Sequence, residues 1–201
     1  ERTQLANDKT SQASSLTGDS KQAIDATASS IASLKSVLTQ AAKTNAELNE
    51  WIADRNFEIE SNFAMPMNTA AVNAVLNSGI LGPGNNSNQI SLIGTPNYLR
   101  IKGDSIEANL PYFGERRMGG GYNTRDAGIT IDGLLKDYRV ETKRGMYVIR
   151  FDAKDTQGNE MYSFILNLSP NQNANMSVNS TQRSNIQFRG RVEAIKEAED
   201  K

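Results

Sequence analysis

The chain has 201 residues, with 22 Lys and Arg against 23 Asp and Glu, and it contains neither cysteine nor histidine. Its length suits one ordinary domain with an appendage. The balanced charge argues against a nucleic-acid partner, because no overall field would attract the protein to phosphates. The missing residue types exclude disulfides, thiolate chemistry, serine–histidine triads and histidine–zinc sites.

Residues 1–19 are small and polar, and we expect them to form a disordered tether. So few apolar groups cannot offset the entropy of ordering. Residue 1 is glutamate and not methionine, so the chain looks trimmed, which is compatible with a signal segment before it.

One long helix is predicted over residues 20–54. Asp19 and Gln22 resemble a capping box, and neither Gly nor Pro follows before Asp54. Apolar residues then recur at heptad spacing, with Asn45 on the same stripe. The expected interaction face consists of Ile24, Ile31, Leu34, Leu38, Leu48 and Ile52. This stripe either docks against the following domain or forms a homodimer with a second copy.

Beyond residue 54, apolar and polar residues alternate, which predicts β-strands. The first run would place five residues on one side: Phe57, Ile59, Ser61, Phe63 and Met65. Short turns between such runs predict antiparallel neighbours. About eight to ten strands linked in this way are expected to roll into a β-barrel over residues 55–195. Residues 70–97 read as an inserted excursion, and residues 196–201 as a tail.

Several motifs of the barrel region together resemble one known family. They are Arg55-Asn56-Phe57, Pro66-Met67, Gly103-Asp104-Ser105, Leu110-Pro111-Tyr112-Phe113-Gly114 and Ile186-Gln187-Phe188-Arg189-Gly190. Over roughly Trp51 to Val192 the chain resembles the domain of unknown function 4251 family. This resemblance implies a lipocalin-like barrel in an exported protein of Bacteroides-type bacteria. It also implies a place in the periplasm or at the outer membrane, held there by a lipid anchor that this chain lacks. The family carries no established site residues.

The candidate ligand residues follow a predicted strand. Tyr112 and Phe113 either line the mouth of a cavity or plug one end of the barrel. Arg116 and Arg117, beside a glycine-rich run that ends at Tyr122, either hold an anion or lie in a solvated loop.

Acidic residues offer weaker candidates. Asp104 and Glu107 come nearest to a carboxylate pair for hydrolysis, and Asp155 and Glu160 flank a turn that faintly resembles a calcium loop. Both groupings fit hairpin turns better. We therefore predict no catalytic residue, no metal site and no cofactor.

Two functions follow from these patterns. The first is a non-catalytic binding module whose barrel holds a small apolar molecule or a peptide. It predicts a cavity of about 300 Å³ or more, lined by aromatic residues such as Tyr112, Tyr147, Phe151 and Phe164. The alternative is a structural envelope protein with a filled barrel, which self-associates or docks a partner through its helix.

Overall fold

A computed structural model of the chain describes residues 2–78, 85–86, 88–117, 128–156 and 160–195. Two compact units divide the chain, Glu1–Lys43 and Thr44–Lys201. The described helices are α1 (Arg2–Ala53) and α2 (Ala70–Asn77). The described strands are β1 (Asn56–Pro66), β2 (Ile90–Ser91), β3 (Tyr98–Lys102), β4 (Ser105–Leu110), β5 (Ile129–Leu134), β6 (Lys136–Lys143), β7 (Met146–Lys154), β8 (Met161–Leu168), β9 (Asn173–Ser180) and β10 (Ile186–Glu193).

Helix α1 begins at Arg2, whereas the sequence predicts a disordered tether up to residue 19. In its early turns the hydroxyls of Thr10, Thr17 and Ser20 donate to backbone carbonyls four residues earlier. Such local bonds satisfy polar side chains within the helix itself. The small number of apolar groups therefore did not prevent helix formation here. Neither described helix offers an apolar stretch long enough to cross a membrane.

The strands form one antiparallel sheet that rolls into a nearly closed barrel. Their order is β5-β4-β3-β1-β10-β9-β8-β7-β6, and the short β2 pairs with β1. Near the closure, the amide of Thr156, just after β7, donates to the carbonyl of Thr130 in β5 at 3.3 Å. The expected antiparallel barrel preceded by one long helix is confirmed.

Inward-facing side chains of the barrel form a single apolar cluster. The rings of Phe151 and Phe164 stack with their centroids 4.9 Å apart. Tyr138 stacks on the other side of Phe151 at 6.2 Å. Burial of this cluster is the main favourable contribution to folding, since apolar area removed from water provides most of the driving force.

The last turns of α1, which belong to the unit Thr44–Lys201, cover one end of the barrel. Leu48 and Ile52 are buried in the apolar cluster, and Trp51 packs at its margin. The hydroxyl of Tyr147 donates to the side-chain oxygen of Asn49 at 2.9 Å. Two of the six residues predicted as an interaction face are therefore used inside the domain.

A β-bulge in β1 reverses which side chains face the core. The pairing of β1 with β10 shifts between Ser61 and Phe63. Ser61 is buried, whereas Phe63 is half-buried and lies opposite Arg189, an exposed residue of β10. The predicted alternation is therefore wrong beyond Ser61, because Ala64 faces the core in place of Phe63 and Met65.

The bulge depends on Gly190 and Asn97. A Cβ atom on Gly190 would lie 1.8 Å from the backbone oxygen of Glu60, so no other residue fits there. On the opposite edge of β1, the buried Asn97 side chain accepts from the Ser61 amide and donates to the Ser61 carbonyl, both at 2.9 Å. Asn97 thereby pairs buried backbone groups that no strand reaches, which would otherwise be costly.

The excursion predicted over residues 70–97 leaves the sheet after β1 and returns at β3. It contains α2 and β2. Residues 79–84 and 87 of this stretch lie outside the described residues, as does the expected tail at 196–201.

We predict that Gly190→Ala destabilises the protein by about 2 kcal/mol or more, because the new methyl group meets backbone that cannot move aside. Gly133→Ala in β5 is the matched control, since no atom lies within 4 Å of its added Cβ. The control should change stability by less than about 1 kcal/mol. Denaturant unfolding of both variants measures the difference, and equal effects would contradict the strict requirement for glycine.

Candidate functional site

The described candidate ligand residues, Tyr112, Phe113, Arg116 and Arg117, lie at the barrel end opposite the last turns of α1. We name this region the loop end and define it by residues 111–117, 155–156, 160 and 181–185. It follows the last residues of β4, β7 and β9 and precedes β8 and β10.

Tyr112 folds over the loop end. Its hydroxyl lies 2.8 Å from Ser184 Oγ, 3.0 Å from the Ser184 carbonyl oxygen and 3.1 Å from the Glu115 carbonyl oxygen. Gly114 leaves room for the ring, since a Cβ there would lie 2.4 Å from the hydroxyl oxygen. Phe113 is half-buried against the apolar cluster. Because the hydroxyl is satisfied by neighbouring loops, this arrangement favours the plug over the cavity wall.

A short backbone ladder holds the segment after Tyr112 in place. The amide of Arg117 donates to the Gln182 carbonyl at 2.7 Å, and the amide of Ser184 donates to the Glu115 carbonyl at 2.9 Å. The side chain of Arg117 is exposed. Tyr122, the other predicted ligand residue of this loop, lies outside the described residues.

A buried ion pair lies within the loop end. Glu160 is 1% exposed and Arg183 is 5% exposed. Arg183 Nε lies 3.1 and 3.0 Å from the two carboxylate oxygens of Glu160, and Arg183 Nη1 donates to the Gly128 carbonyl at 2.8 Å. Ser180 donates a further hydrogen bond to the carboxylate, and Arg116 Nη2 approaches it at 3.4 Å. Glu160 thus serves as an internal anchor that connects its own segment to the segment of Arg116 and to the segment of Ser180 and Arg183.

The ion pairs of Glu160 give two residues a different role from the one considered from sequence. Arg116, considered there as an anion ligand, already has Glu160 as its anion. Glu160, considered as part of a calcium loop, is held by two guanidinium groups. Sequence reasoning missed Arg183 because the pair spans 23 positions. The available signals were Glu160, directly before the apolar strand β8, and Arg183, three residues before the apolar strand β10.

Burial also affects Tyr112 of the loop end and Tyr162, which lies beside the loop end in β8. It raises the pKa of the Tyr162 phenol above its usual value of 10.0, while the nearby Arg183 guanidinium opposes this shift. Burial likewise raises the pKa of Tyr112, against its hydrogen bond to Ser184. The Tyr162 hydroxyl has no hydrogen-bond partner among the described residues. These phenols therefore resist ionisation while the barrel is folded.

The aromatic residues expected to line a ligand cavity are engaged in packing. Phe151 and Phe164 stack on each other, and Tyr147 contacts the end of α1 through Asn49. Tyr112 closes the loop end. These contacts occupy the ring faces and hydroxyls that a bound apolar molecule would use.

The acidic pair considered for hydrolysis is neutralised. Asp104 forms an ion pair with Arg55. Glu107 accepts a hydrogen bond from the Tyr98 hydroxyl at 2.6 Å and lies 3.7 Å from the Arg100 guanidinium. Each carboxylate thus has its own partner, and the two do not form a shared acid–base site.

The remaining predicted site residues lie on α1, within the unit Glu1–Lys43. Their exposed fractions are 67% for Ile24, 61% for Ile31, 63% for Leu34 and 69% for Leu38, and Val37 joins them at 60%. We name these five residues the helix stripe. They are large apolar side chains that the described part of the chain leaves open to solvent.

Removal of Arg183 should be strongly destabilising. Arg183→Met leaves the Glu160 carboxylate buried beside a smaller positive charge, and we expect a loss of about 3–5 kcal/mol in the free energy of unfolding. The control is Arg150→Met, which breaks an ion pair with Glu141 whose side chains are 41% and 47% exposed. That control should cost less than about 1 kcal/mol. If denaturant unfolding shows comparable losses of stability for Arg183→Met and Arg150→Met, the buried pair does not anchor the loop end.

The raised pKa values of the buried tyrosines predict that the folded protein loses stability at alkaline pH. The folded protein keeps a phenolic proton that the unfolded chain releases above pH 10.0, so stability is fully present below that pH and falls above it. Tyr162→Phe should flatten this fall by up to about 1.4 kcal/mol per pH unit. Guanidinium unfolding between neutral pH and pH 11, followed by fluorescence of the single tryptophan, measures it. An unchanged alkaline profile in the variant would contradict the assignment to Tyr162.

The family model described as Domain of unknown function (DUF4251) matches residues 39–192. No curated protein matches the chain. The match includes the last turns of α1 and the strands of the barrel, whereas the helix stripe precedes it. Since the match covers well over half of the 201 residues, the chain belongs to this family of unknown function.

Proposed function

We propose that this chain is a non-catalytic interaction protein that assembles with a second copy of itself through the helix stripe. The observation that carries the proposal is the contrast along α1. Leu48 and Ile52 are buried against the barrel, whereas the stripe residues before them are 60–69% exposed. Exposed apolar side chains in such a contiguous row are typical of surfaces that another protein covers.

The energetics of the helix support a partner. Ser, Thr, Asn and Asp are frequent in residues 2–43, and all have low intrinsic helix propensity. Gly18 adds about 1 kcal/mol against the helix. Most helical stability in proteins comes from packing an apolar face, and each large side chain fully buried contributes about 1.5–3 kcal/mol.

A second copy fits the stripe because its spacing is that of a coiled coil. Ile24, Ile31 and Leu38 are seven residues apart, and Leu34 lies on the second heptad position. Thr27 and Ala41 occupy the other seam positions, and their small side chains allow two helices to approach closely. The surface of the seam is therefore complementary to the same seam on a second copy of the helix.

The barrel supports a scaffold role more than a ligand-holding one. The last turns of α1 cover one end, and the loop end is tied together by the Glu160–Arg183 pair. An apolar molecule inside the barrel would have to displace packed rings such as Phe151 and Phe164. For this reason we rank internal ligand binding below self-association.

Export to the bacterial cell envelope forms part of the same proposal. It is supported by the family resemblance of the motif at residues 110–114. A place in the periplasm or at the outer membrane suits a self-associating barrel without an enzymatic site. Fractionation of cells that express the full-length protein checks this location.

The double variant Ile31→Asp with Leu38→Asp should abolish self-association. Two carboxylates in the seam would have to be buried on dimerisation, which is costly. We expect the unmodified chain to show a concentration-dependent dimer by sedimentation velocity. The double variant should remain a monomer and lose helical signal in circular dichroism.

Ser29→Asp with Ser36→Asp is the matched control, because both serines lie on the opposite face of α1 and the same charge is added. The control should dimerise like the unmodified chain. A monomeric unmodified chain at high micromolar concentration, or an equal loss of dimer in both variants, would overturn self-association through the stripe.

A further inference from the structure

A shallow groove of about 500 Å³ lies on the outer face of the sheet. We name it the outer groove. It is lined by Phe63, Gln89, Asn173, Asn175, Arg189 and Arg191. Its volume falls within the range of small-molecule sites.

The side chains of the groove are arranged in two cross-strand rows. In one row, Phe63 of β1, Arg189 of β10 and Asn175 of β9 are register partners. In the other, Arg191 lies beside Asn173. Direct cross-strand neighbours have Cβ atoms about 5 Å apart. Two guanidinium groups, two amides and one aromatic ring therefore converge on one patch.

The bulge in β1 creates this patch. Without the register shift after Ser61, Phe63 would face the core and leave no aromatic group beside Arg189. Gly190, which the bulge requires, lies between the two arginines along β10, so both arginine side chains fall on the same outer face. Bulges commonly redirect side chains next to functional sites.

The two arginines of the groove are available for a ligand. Among the described residues, neither Arg189 nor Arg191 forms an ion pair or a side-chain hydrogen bond. Arg55, Arg100 and Arg183, by contrast, each have a carboxylate partner. An unpaired guanidinium fork suits a planar acid group, which it binds with two parallel hydrogen bonds.

The other lining groups narrow the ligand class. The amides of Asn173, Asn175 and Gln89 each offer a donor and an acceptor, which matches the hydroxyl groups of a sugar. The half-buried ring of Phe63 provides an apolar surface against which the C–H face of a sugar ring can pack. Glu60 lies opposite Arg191 in the β1–β10 pairing and limits the net positive charge. A ligand that combines carboxylates with many hydroxyls fits this balance better than a polyphosphate.

We infer that the outer groove binds an acidic oligosaccharide, with Arg189 and Arg191 on its carboxylate and the amides on its hydroxyls. A single-stranded nucleic acid fits less well, because such sites combine several stacking aromatics with a continuous basic track. The groove has one aromatic ring and two cations, and the whole chain carries a net charge of -1. This inference does not depend on self-association through the helix stripe.

Isothermal titration of the full chain with trigalacturonic acid tests the inference, beside its methyl ester and an oligothymidylate of similar length. We expect binding of the acid, and at least about tenfold weaker binding of the ester, because the ester loses the charge-assisted hydrogen bonds. Arg189→Gln with Arg191→Gln should likewise weaken binding of the acid at least about tenfold.

Arg139→Gln with Arg144→Gln is the matched control, since both residues are exposed and it removes the same charge from another part of the barrel. The control should bind the acid like the unmodified chain, and thermal melts of all variants should agree because every substituted side chain is exposed. No binding of the acid, equal binding of acid and ester, or equal losses in the two double variants would overturn the inference. Tighter binding of the oligothymidylate would replace it with a nucleic-acid site.

Discussion

The pairing of β1 with β10 is the constraint on which the barrel depends. β1 follows the helix, β10 is the last strand among the described residues, and together they join the β3-β4-β5 half of the sheet to the β9-β8-β7-β6 half. This pairing brings the backbones of Glu60 and Gly190 so close that only glycine fits. The shift in register then gives β1 two faces of different character, with Ser61 inside and Phe63 outside.

A barrel of this size must also cover the two ends of its apolar interior. One end is covered by Leu48 and Ile52 from the same helix whose earlier turns stay exposed. At the other end, a motif rich in aromatic residues folds inward and is tied down by Glu160 and Arg183. The buried pair is stable only because each charge is neutralised and hydrogen-bonded, since an unpaired charge at such a site is costly. The interior thus functions as a core, and we assign the proposed recognition to the outside.

Two outer surfaces of different chemistry are available for that recognition. The helix stripe is apolar and regular, which suits another helix. The outer groove is polar and cationic around one ring, which suits a soluble acidic ligand. The family match from residue 39 to residue 192 includes the groove and excludes the stripe. A self-associating scaffold that presents one groove per copy would bind a ligand with repeating units more tightly than a single copy does, because two grooves could engage the same ligand.

The sequence alone determined the fold class, because the change from heptad spacing to alternation near residue 55 distinguishes a helix from β-strands. It also located the loop end correctly at Tyr112 and Phe113, since their position after a strand is a local feature. The start of α1 was not predictable from low hydrophobicity, because serine and threonine can satisfy their hydroxyls within a helix.

Tertiary structure alone decided the outward turn of Phe63, the partnership of Glu160 with Arg183 and the division of the helix face into buried and exposed parts. Each of these depends on contacts between residues far apart in the chain, such as Ser61 with Gly190. A pattern along one strand contains no information about the backbone that will lie beside it. That neighbour determines both the register of a strand and the charge that a buried side chain will meet.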